Sequence, residues 1–438
     1  MKRLISCVFA LLYVMTGFAS GTWILHGKEY RVDTLYHAYI GPGTTQTSIK
    51  LAGPVNLRVF YTTTDLKNEN VDVRAIKHKD TLTGLGTVSN AAESHSTSNR
   101  SYFAGINADF FSSSMPCGIT VVDGEVYCSD QASGWSLFGI DANKIPYSGG
   151  GDFYVKLTAP DYSTAELSAM NLERETNGLV LYSSRKGANT GTDSNGSEVV
   201  LVPDGEGNFL TPGATVRMRV QGNPSHAGSM PIPDNGYILS GSGTKESFVS
   251  NLSEGDVVEV RCAIRFNGFT GGKIQQALGG CPMLVSGGKV LDTENALDHL
   301  TSAQPRTAVG YNAEKNKLVM LVADGRSSIS VGPISKVLAD IMIYAGCSEA
   351  MNFDGGGSST FYVKGEGVIN QPSDGSERSV TDGLYLSTDA PQNDVTITTI
   401  RFMDYAKTLN QGDAYTPVIY GYNQYGVLVD RNVEGVTL

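Results

Sequence analysis

Apolar residues recur along this chain with a period of two far more often than with a period of 3.6, which predicts a protein built mainly of strands. Residues 55–61 and 71–77 alternate as half-buried strands do, and residues 103–107 form a short apolar run. Residues 119–127 read as a hairpin turning at Asp123-Gly124, a dipeptide that accepts positive φ at both central positions of a type I′ turn. Residues 238–243 and 255–260 are further strands punctuated by turns, and residues 317–323 are a buried strand. One amphipathic helix stands out: Ile334, Val337, Leu338, Ile341, Met342 and Ala345 share a face, and Gly346 stops it. Short strands at 350–353 and 361–363 follow. Residues 20–54 read as a polar lead, 89–101 as a loop rich in Ser, Asn and His, and 151–235 as weakly patterned. After Ala390 the texture changes: a linker at 391–394 precedes strands at 396–402 and 418–422, with a turn at 410–413. The expected fold class is therefore α+β. A strand-dominated, mixed-sheet catalytic domain with few helices spans 55–388, and a partial β-sandwich-like segment spans 391–438.

The most specific stretch is Met351-Asn352-Phe353-Asp354-Gly355-Gly356-Gly357-Ser358-Ser359-Thr360. Three glycines let a ligand approach the backbone closely, and their N–H groups are expected to form a concave nest for an anion. The hydroxyls of Ser358, Ser359 and Thr360 add donors, and Asp354 stands at the rim. Its position between a helix–strand unit and another strand makes it a scaffolded turn, not a linker. Three more segments gather charge at strand ends: Pro305-Arg306-Thr307, Asp324-Gly325-Arg326, and residues 370–378 with Asp374, Glu377 and Arg378. A guanidinium grips phosphate or carboxylate bidentately. Each segment alone is explained as a turn. Four of them within 305–378, beside an anion nest, predict one shared site. A nucleotide P-loop is a poor fit because GGGSST lacks the Gly-Lys-Ser/Thr ending.

Composition sets the surroundings of that site. Lys2 and Arg3 precede the apolar residues 4–18, and Gly17-Phe18-Ala19 supplies small residues for cleavage, so residues 1–19 read as a signal peptide. The expected location is secreted or periplasmic, with no transmembrane anchor. Loss of Lys2 and Arg3 takes the formal charge from −11 to −13, which argues against nucleic acid as a partner. Fifty-one glycines with only 18% charged residues fit a turn-rich, strand-rich exported chain. The five cysteines beyond the signal peptide leave at least one unpaired, and a Cys117–Cys128 disulfide needs a diagonal reach or a bulge. No CxxC occurs and the histidines are scattered, so no zinc site is expected.

These motifs resemble the phosphodiester glycosidase family. The matching pieces are PRTAVG at 305–310, ADGR at 323–326, NFDGGGSST at 352–360 and PSDGSER at 372–378. Upstream, Asn107-Ala108-Asp109-Phe110-Phe111 and Gly279-Gly280-Cys281-Pro282 are similar to family segments, although Asp109 and Cys281 stand where small residues or glycine are usual. The extra carboxylate bears on the width and charge of the sugar pocket. The resemblance implies a hydrolase like the phosphodiester alpha-N-acetylglucosaminidases. It would cleave the glycosidic C1–O bond of a sugar-1-phosphodiester or phosphoglycan, and would use no cofactor, with an oxygen-ligated Mg²⁺ or Ca²⁺ left open. It implies catalytic roles for Asp354, Asp324 and Arg306. It implies substrate binding by Asn107, Asp109, Asn352, Gly355, Gly356, Ser358, Ser359, Ser373, Asp374 and Arg378. The residues after 390 resemble the opening strands of a bacterial immunoglobulin-like domain. Two rival readings are a metal-dependent phosphodiesterase with Asp324, Asp354 and Asp374 as ligands, and a non-catalytic glycan- or envelope-binding protein.

Overall fold

The strand Lys317–Ala323 has no solvent face beyond its first residue. Leu318, Met320 and Val322 enter one hydrophobic core, and Val319, Leu321 and Ala323 enter another. A strand buried on both sides must be apolar on both sides, which is why this segment reads as a continuous run and not as an alternation. The computed structural model describes residues 21–436 except 131, 133, 206–209, 268–271, 293–300, 404–410, 413 and 415. The expected signal peptide lies outside the described residues.

Lys317–Ala323 sits between Asn56–Asp65 and Arg306–Tyr311 in a nine-stranded antiparallel sheet. One face of this sheet packs on a five-stranded sheet that contains Ser101–Asn107, Phe361–Val363 and Asp382–Thr388. The other face is covered by the helix Ser335–Tyr344 through Val337, Leu338, Ile341 and Met342. The strand-dominated α+β class is thus what the chain adopts, and the expected helix and its flanking strands occur within a residue or two of their predicted ends.

Three sequence expectations change. Residues 20–54 are not a lead: Gly21–Leu25, Lys28–Gly41 and Thr44–Ala52 are strands of the nine-stranded sheet. Their pattern was hidden because Thr44, Gln46, Thr47 and Ser48 are all buried although polar. The expected loop 89–101 begins as a helix, Val88–His95, capped by the Thr87 hydroxyl; only Val88, Ala91 and Ala92 are buried, too small a face to register as period 3.6. The weakly patterned region is an eight-stranded sheet running from Gly151–Thr158 to Val257–Phe266. It is inserted between Pro146–Gly149 and Ile274–Gly280, both strands of a second five-stranded sheet, and shares a core with that sheet. Its pairing of Ala169–Met170 with Leu179–Tyr182 is the one parallel ladder among the described strands.

The Asp123-Gly124 turn has φ of 50° and 85°, as the hairpin requires. A register shift sets Cys128 opposite Thr120, and all five described cysteines are free thiols. At the other end of the chain, Thr399–Phe402, Ile419–Tyr422 and Leu428–Asp430 form a separate three-stranded sheet. It docks on the Lys28–Gly41 strand: the Tyr422 hydroxyl donates to the Tyr39 carbonyl at 2.9 Å, and the Arg401 guanidinium lies 4.2 Å from the Tyr39 ring centre. No described helix is long and apolar enough to cross a membrane.

Truncating the doubly buried strand should be costly. Leu321→Ala is expected to lower stability by about 2–5 kcal/mol in urea unfolding with an unchanged m-value. A loss below about 1 kcal/mol would mean that the two cores do not meet at this strand as described.

Candidate active site

Strand ends from both packed sheets meet at one edge. Arg306 opens its strand opposite Ala323, Thr307 pairs with Phe353, and Asp354 therefore leaves its strand beside Arg306. Asn107 ends the strand Ser101–Asn107 in the facing sheet, opposite Gly383. The Asn107 side chain joins the two layers. Its Nδ2 donates to the Asp354 carbonyl at 2.7 Å, and its Oδ1 accepts from the Thr307 hydroxyl at 2.8 Å and the Thr360 amide at 3.1 Å. Asn107 is fully buried and its hydrogen bonds go to protein, so it positions the site and does not reach a sugar. Asn352 is also buried, with Nδ2 donating to the carbonyls of Cys281 and Phe353, both at 2.7 Å, while its Oδ1 has no hydrogen-bond partner among the described residues.

The glycine turn differs from the expected nest. Residues Gly356–Ser358 form a short 3₁₀ turn. The N–H of Gly356 donates to Pro305, that of Ser358 to Gly355 and that of Ser359 to Gly356, so these donors are satisfied within the chain. Glycine is needed for another reason. Gly356 has φ of 61°, and a Cβ there would lie 2.9 Å from the Arg326 guanidinium. A Cβ on Gly357 would collide with the ion pair of Arg378 and Asp374. The side chains of Arg326, Arg378 and Asp374 approach the bare backbone of Gly356 and Gly357.

Those groups stand at two depths. Arg306 is only 2% exposed; it donates to the Ser302 carbonyl at 2.7 Å and the Pro333 carbonyl at 3.4 Å. Burial, and then the charge of Arg326, push its pKa down to about 10. Asp324 is 3% exposed and accepts from the Gln371 amide at 2.8 Å, and burial raises its pKa to about 6. Both expected catalytic groups therefore reach the turn from inside, where they fix the loops around it. The outer rim is Asp354, Arg378, Asp374, Arg326 and Ser373, with the buried Ser358 hydroxyl behind it. Arg378 donates to the Ser358 hydroxyl at 3.3 Å and pairs with Asp374 at 2.6 Å. Arg326 donates to Gln304 at 2.7 Å and Ser373 at 3.4 Å. Arg326 carried no assigned role in the sequence beyond closing the charged strand end Asp324-Gly325-Arg326; in the structure it takes a left-handed φ of 58°. Glu377 anchors the Arg378 loop by accepting from the Ser89 amide and hydroxyl near a helix N-terminus.

Asp354 is the less exposed of the two rim carboxylates. It is half-buried, and burial pushes its pKa up to about 6; the Ser358 hydroxyl, the Arg378 charge and the Gly355 N–H work in the opposite direction. Ser359 is buried against the Thr307 hydroxyl at 3.2 Å. Asp109 is buried, accepting from the Gly118 amide at 2.7 Å, and burial together with Asp382 raises its pKa well above the usual range. Among the described residues, no group of three His, Cys, Asp or Glu side chains is arranged to hold a metal, so Asp324, Asp354 and Asp374 form no ligand set.

Sequence comparison covers much of this edge. Residues 213–387 match the phosphodiester glycosidase family. The phosphodiester glycosidase match begins inside the inserted sheet and takes in Arg306, Asp324, Arg326, Asp354 and Arg378, leaving Asn107 and Asp109 upstream of it. An uncharacterized SPbeta prophage-derived protein of Bacillus subtilis is 40% identical over 88 residues, 20% of this chain and 13% of that protein's length. Two solved structures share the fold. One, a hypothetical protein from Synechocystis, aligns with a TM-score of 0.61 at 16% identity over 79% of this chain and 62% of its own. The other, from Burkholderia pseudomallei K96243, aligns with a TM-score of 0.58 at 18% identity over 82% of this chain and 97% of its own.

Removing the buried amide tests the positioning role. Asn107→Ala leaves the Thr360 amide and the Asp354 carbonyl without their partner, and should cost about 1–3 kcal/mol in denaturant unfolding. An unchanged stability would place Asn107 outside the framework and return it to the list of ligand contacts.

Proposed function

We propose that this protein hydrolyses the glycosidic C1–O bond of a sugar-1-phosphodiester, releasing free sugar and a phosphomonoester. The phosphodiester glycosidase match supports the reaction class. The observation that carries the reading is the rim itself: Asp354 stands beside the Ser358 hydroxyl and the Arg378 charge, Asp374 pairs with Arg378, and the Arg326 guanidinium lies against Gly356. A departing phosphodiester oxygen is a weak base and needs charge stabilisation more than a proton, which two cations supply. Asp354 acts at the anomeric carbon, as nucleophile or as base for water. In the overall reaction the C1–O bond breaks with its electron pair going to the phosphate oxygen. A water oxygen joins C1, and the proton leaves through a carboxylate. Arg306 and Asp324 support this rim from below. The apolar residues 4–18 behind Lys2 and Arg3 support an exported location.

The test separates bond making from charge holding. Asp354→Asn should lower kcat by roughly 10²–10⁴ with the fold kept, the range of an acid–base group. Arg326→Ala should hurt phosphodiester substrates much more than an aryl glycoside with a neutral leaving group. Equal losses on both substrates would remove the phosphate role, and near-normal kcat in Asp354→Asn would remove the carboxylate from the chemistry. The ionised form of Asp354 is the active one, so kcat/KM should rise as pH increases through about 6. Stability has the opposite sign: acids raised by burial stabilise the fold below their ordinary value near 4, and that contribution is lost as pH rises through about 6.

A further inference from the structure

The rim around Asp354 is polar throughout. It suits a phosphate, but it offers nothing to the carbon face of a sugar ring, and ligand pockets combine a few placed polar groups with apolar, commonly aromatic, walls. A half-buried aromatic pair lies on segments that hydrogen-bond to Asp354 and its neighbours. Phe110 and Trp135 meet edge to face, with ring centres 5.4 Å apart and planes at 73°.

Resting on the glycosidase reading above, we infer that Trp135, backed by Phe110, is the platform for the substrate's pyranose ring beside Asp354, and that Asp109 is the residue that positions it. The segments carrying the two aromatics are the ones that clamp Asp354. The Asp354 amide donates to the Ala108 carbonyl at 2.8 Å, two residues before Phe110. On the other side, the Cys281 thiol lies 3.7 Å from the Gly134 carbonyl, and the Cys281 amide donates to Asn352 at 2.9 Å, two residues before Asp354. The Cys117 amide donates to the Phe110 carbonyl at 2.9 Å. Burial pushes the Cys117 thiol up to about 11, and the carboxylates of Asp109, Asp130 and Asp354 add to the rise.

The orientation of Trp135 is built in. Its indole N–H donates to Asp109 Oδ1 at 3.3 Å, while Asp109 Oδ2 accepts from the Gly118 amide at 2.7 Å. A Cβ on Gly279 would come within 2.6 Å of that carboxylate, and one on Gly118 within 3.3 Å of the indole ring. Two glycines therefore leave room for a carboxyl strut that fixes the ring plane. Asp109 itself is 1% exposed, so it acts on the sugar only through Trp135.

Tryptophan fluorescence provides a readout independent of turnover. The other tryptophan of the chain, Trp23, stacks on Tyr344 with centres 4.6 Å apart, so Trp23→Phe leaves emission from Trp135 alone. In that background, N-acetylglucosamine 1-phosphate, glucose 1-phosphate or mannose 1-phosphate should change the emission, and inorganic phosphate should not. On a hydrolysed phosphodiester, Trp135→Ala should raise KM by roughly tenfold or more with kcat within a few-fold, the signature of uniform binding, and Trp135→Phe should recover most of the loss. Asp109→Asn should raise KM in the same sense and alter the Trp135 emission. Flat emission with all three sugar phosphates, or a Trp135→Ala loss confined to kcat, overturns the platform. An emission change without any hydrolysis of sugar-1-phosphodiesters keeps the platform and sinks the hydrolase reading instead.

Discussion

The Asn107 carboxamide is the joint on which the candidate site depends. Three strand ends meet at it: it holds the carbonyl of Asp354, the hydroxyl of Thr307 and the amide of Thr360 in one buried cluster. Buried polar groups without partners cost several times what a satisfied one contributes, so the cluster works as an all-or-none clamp between the nine-stranded sheet and its five-stranded neighbour. The depth of the two cores makes this joint rigid, because strands with no solvent face cannot slide without exposing Leu321 or Met320. The turn after Asp354 then inherits its position from the sheets and not from its own sequence.

Charge is layered on that frame. Arg306 and Asp324 lie beneath the turn and bind backbone groups of the loops around it, whereas Arg326, Arg378 and Asp354 face outward. A buried guanidinium is kept only where its donors find acceptors, and the carbonyls of Ser302 and Pro333 supply them. The same charges that would hold a phosphate are therefore split between building the loops and presenting a surface. Asp354 is raised toward neutrality by burial while Arg378 opposes the shift, which leaves it poised for chemistry in mildly acidic to neutral solution.

Much of this was legible in the sequence. The helix over Ser335–Tyr344, the hairpin at Asp123-Gly124 and the helix–strand–turn–strand order around Gly355 follow from periodicity and turn chemistry, and four polar strand-end segments do converge on one edge. Depth was not legible. Sequence shows that Arg306 and Asn107 end strands, but only the packed fold decides that Arg306 is covered by the segments carrying Ser302 and Pro333, and Asn107 by the nine-stranded sheet that faces it. Nor does a glycine run reveal what approaches it: the expected amide nest is closed by its own 3₁₀ turn, and Arg326, Arg378 and Asp374 fill the space. The strands at 21–52 escaped notice because buried Thr, Gln and Ser hydrogen-bond inside the sheet and so mimic a polar lead.

The most direct measurement of the central claim is the bond that breaks. Turnover of a sugar-1-phosphodiester in ¹⁸O-labelled water, followed by mass spectrometry of both products, locates the incoming oxygen. If Asp354 works at the anomeric carbon while the arginines hold the departing phosphate, the label enters the free sugar and the phosphomonoester stays unlabelled. Label in the phosphate would show P–O cleavage and contradict the account.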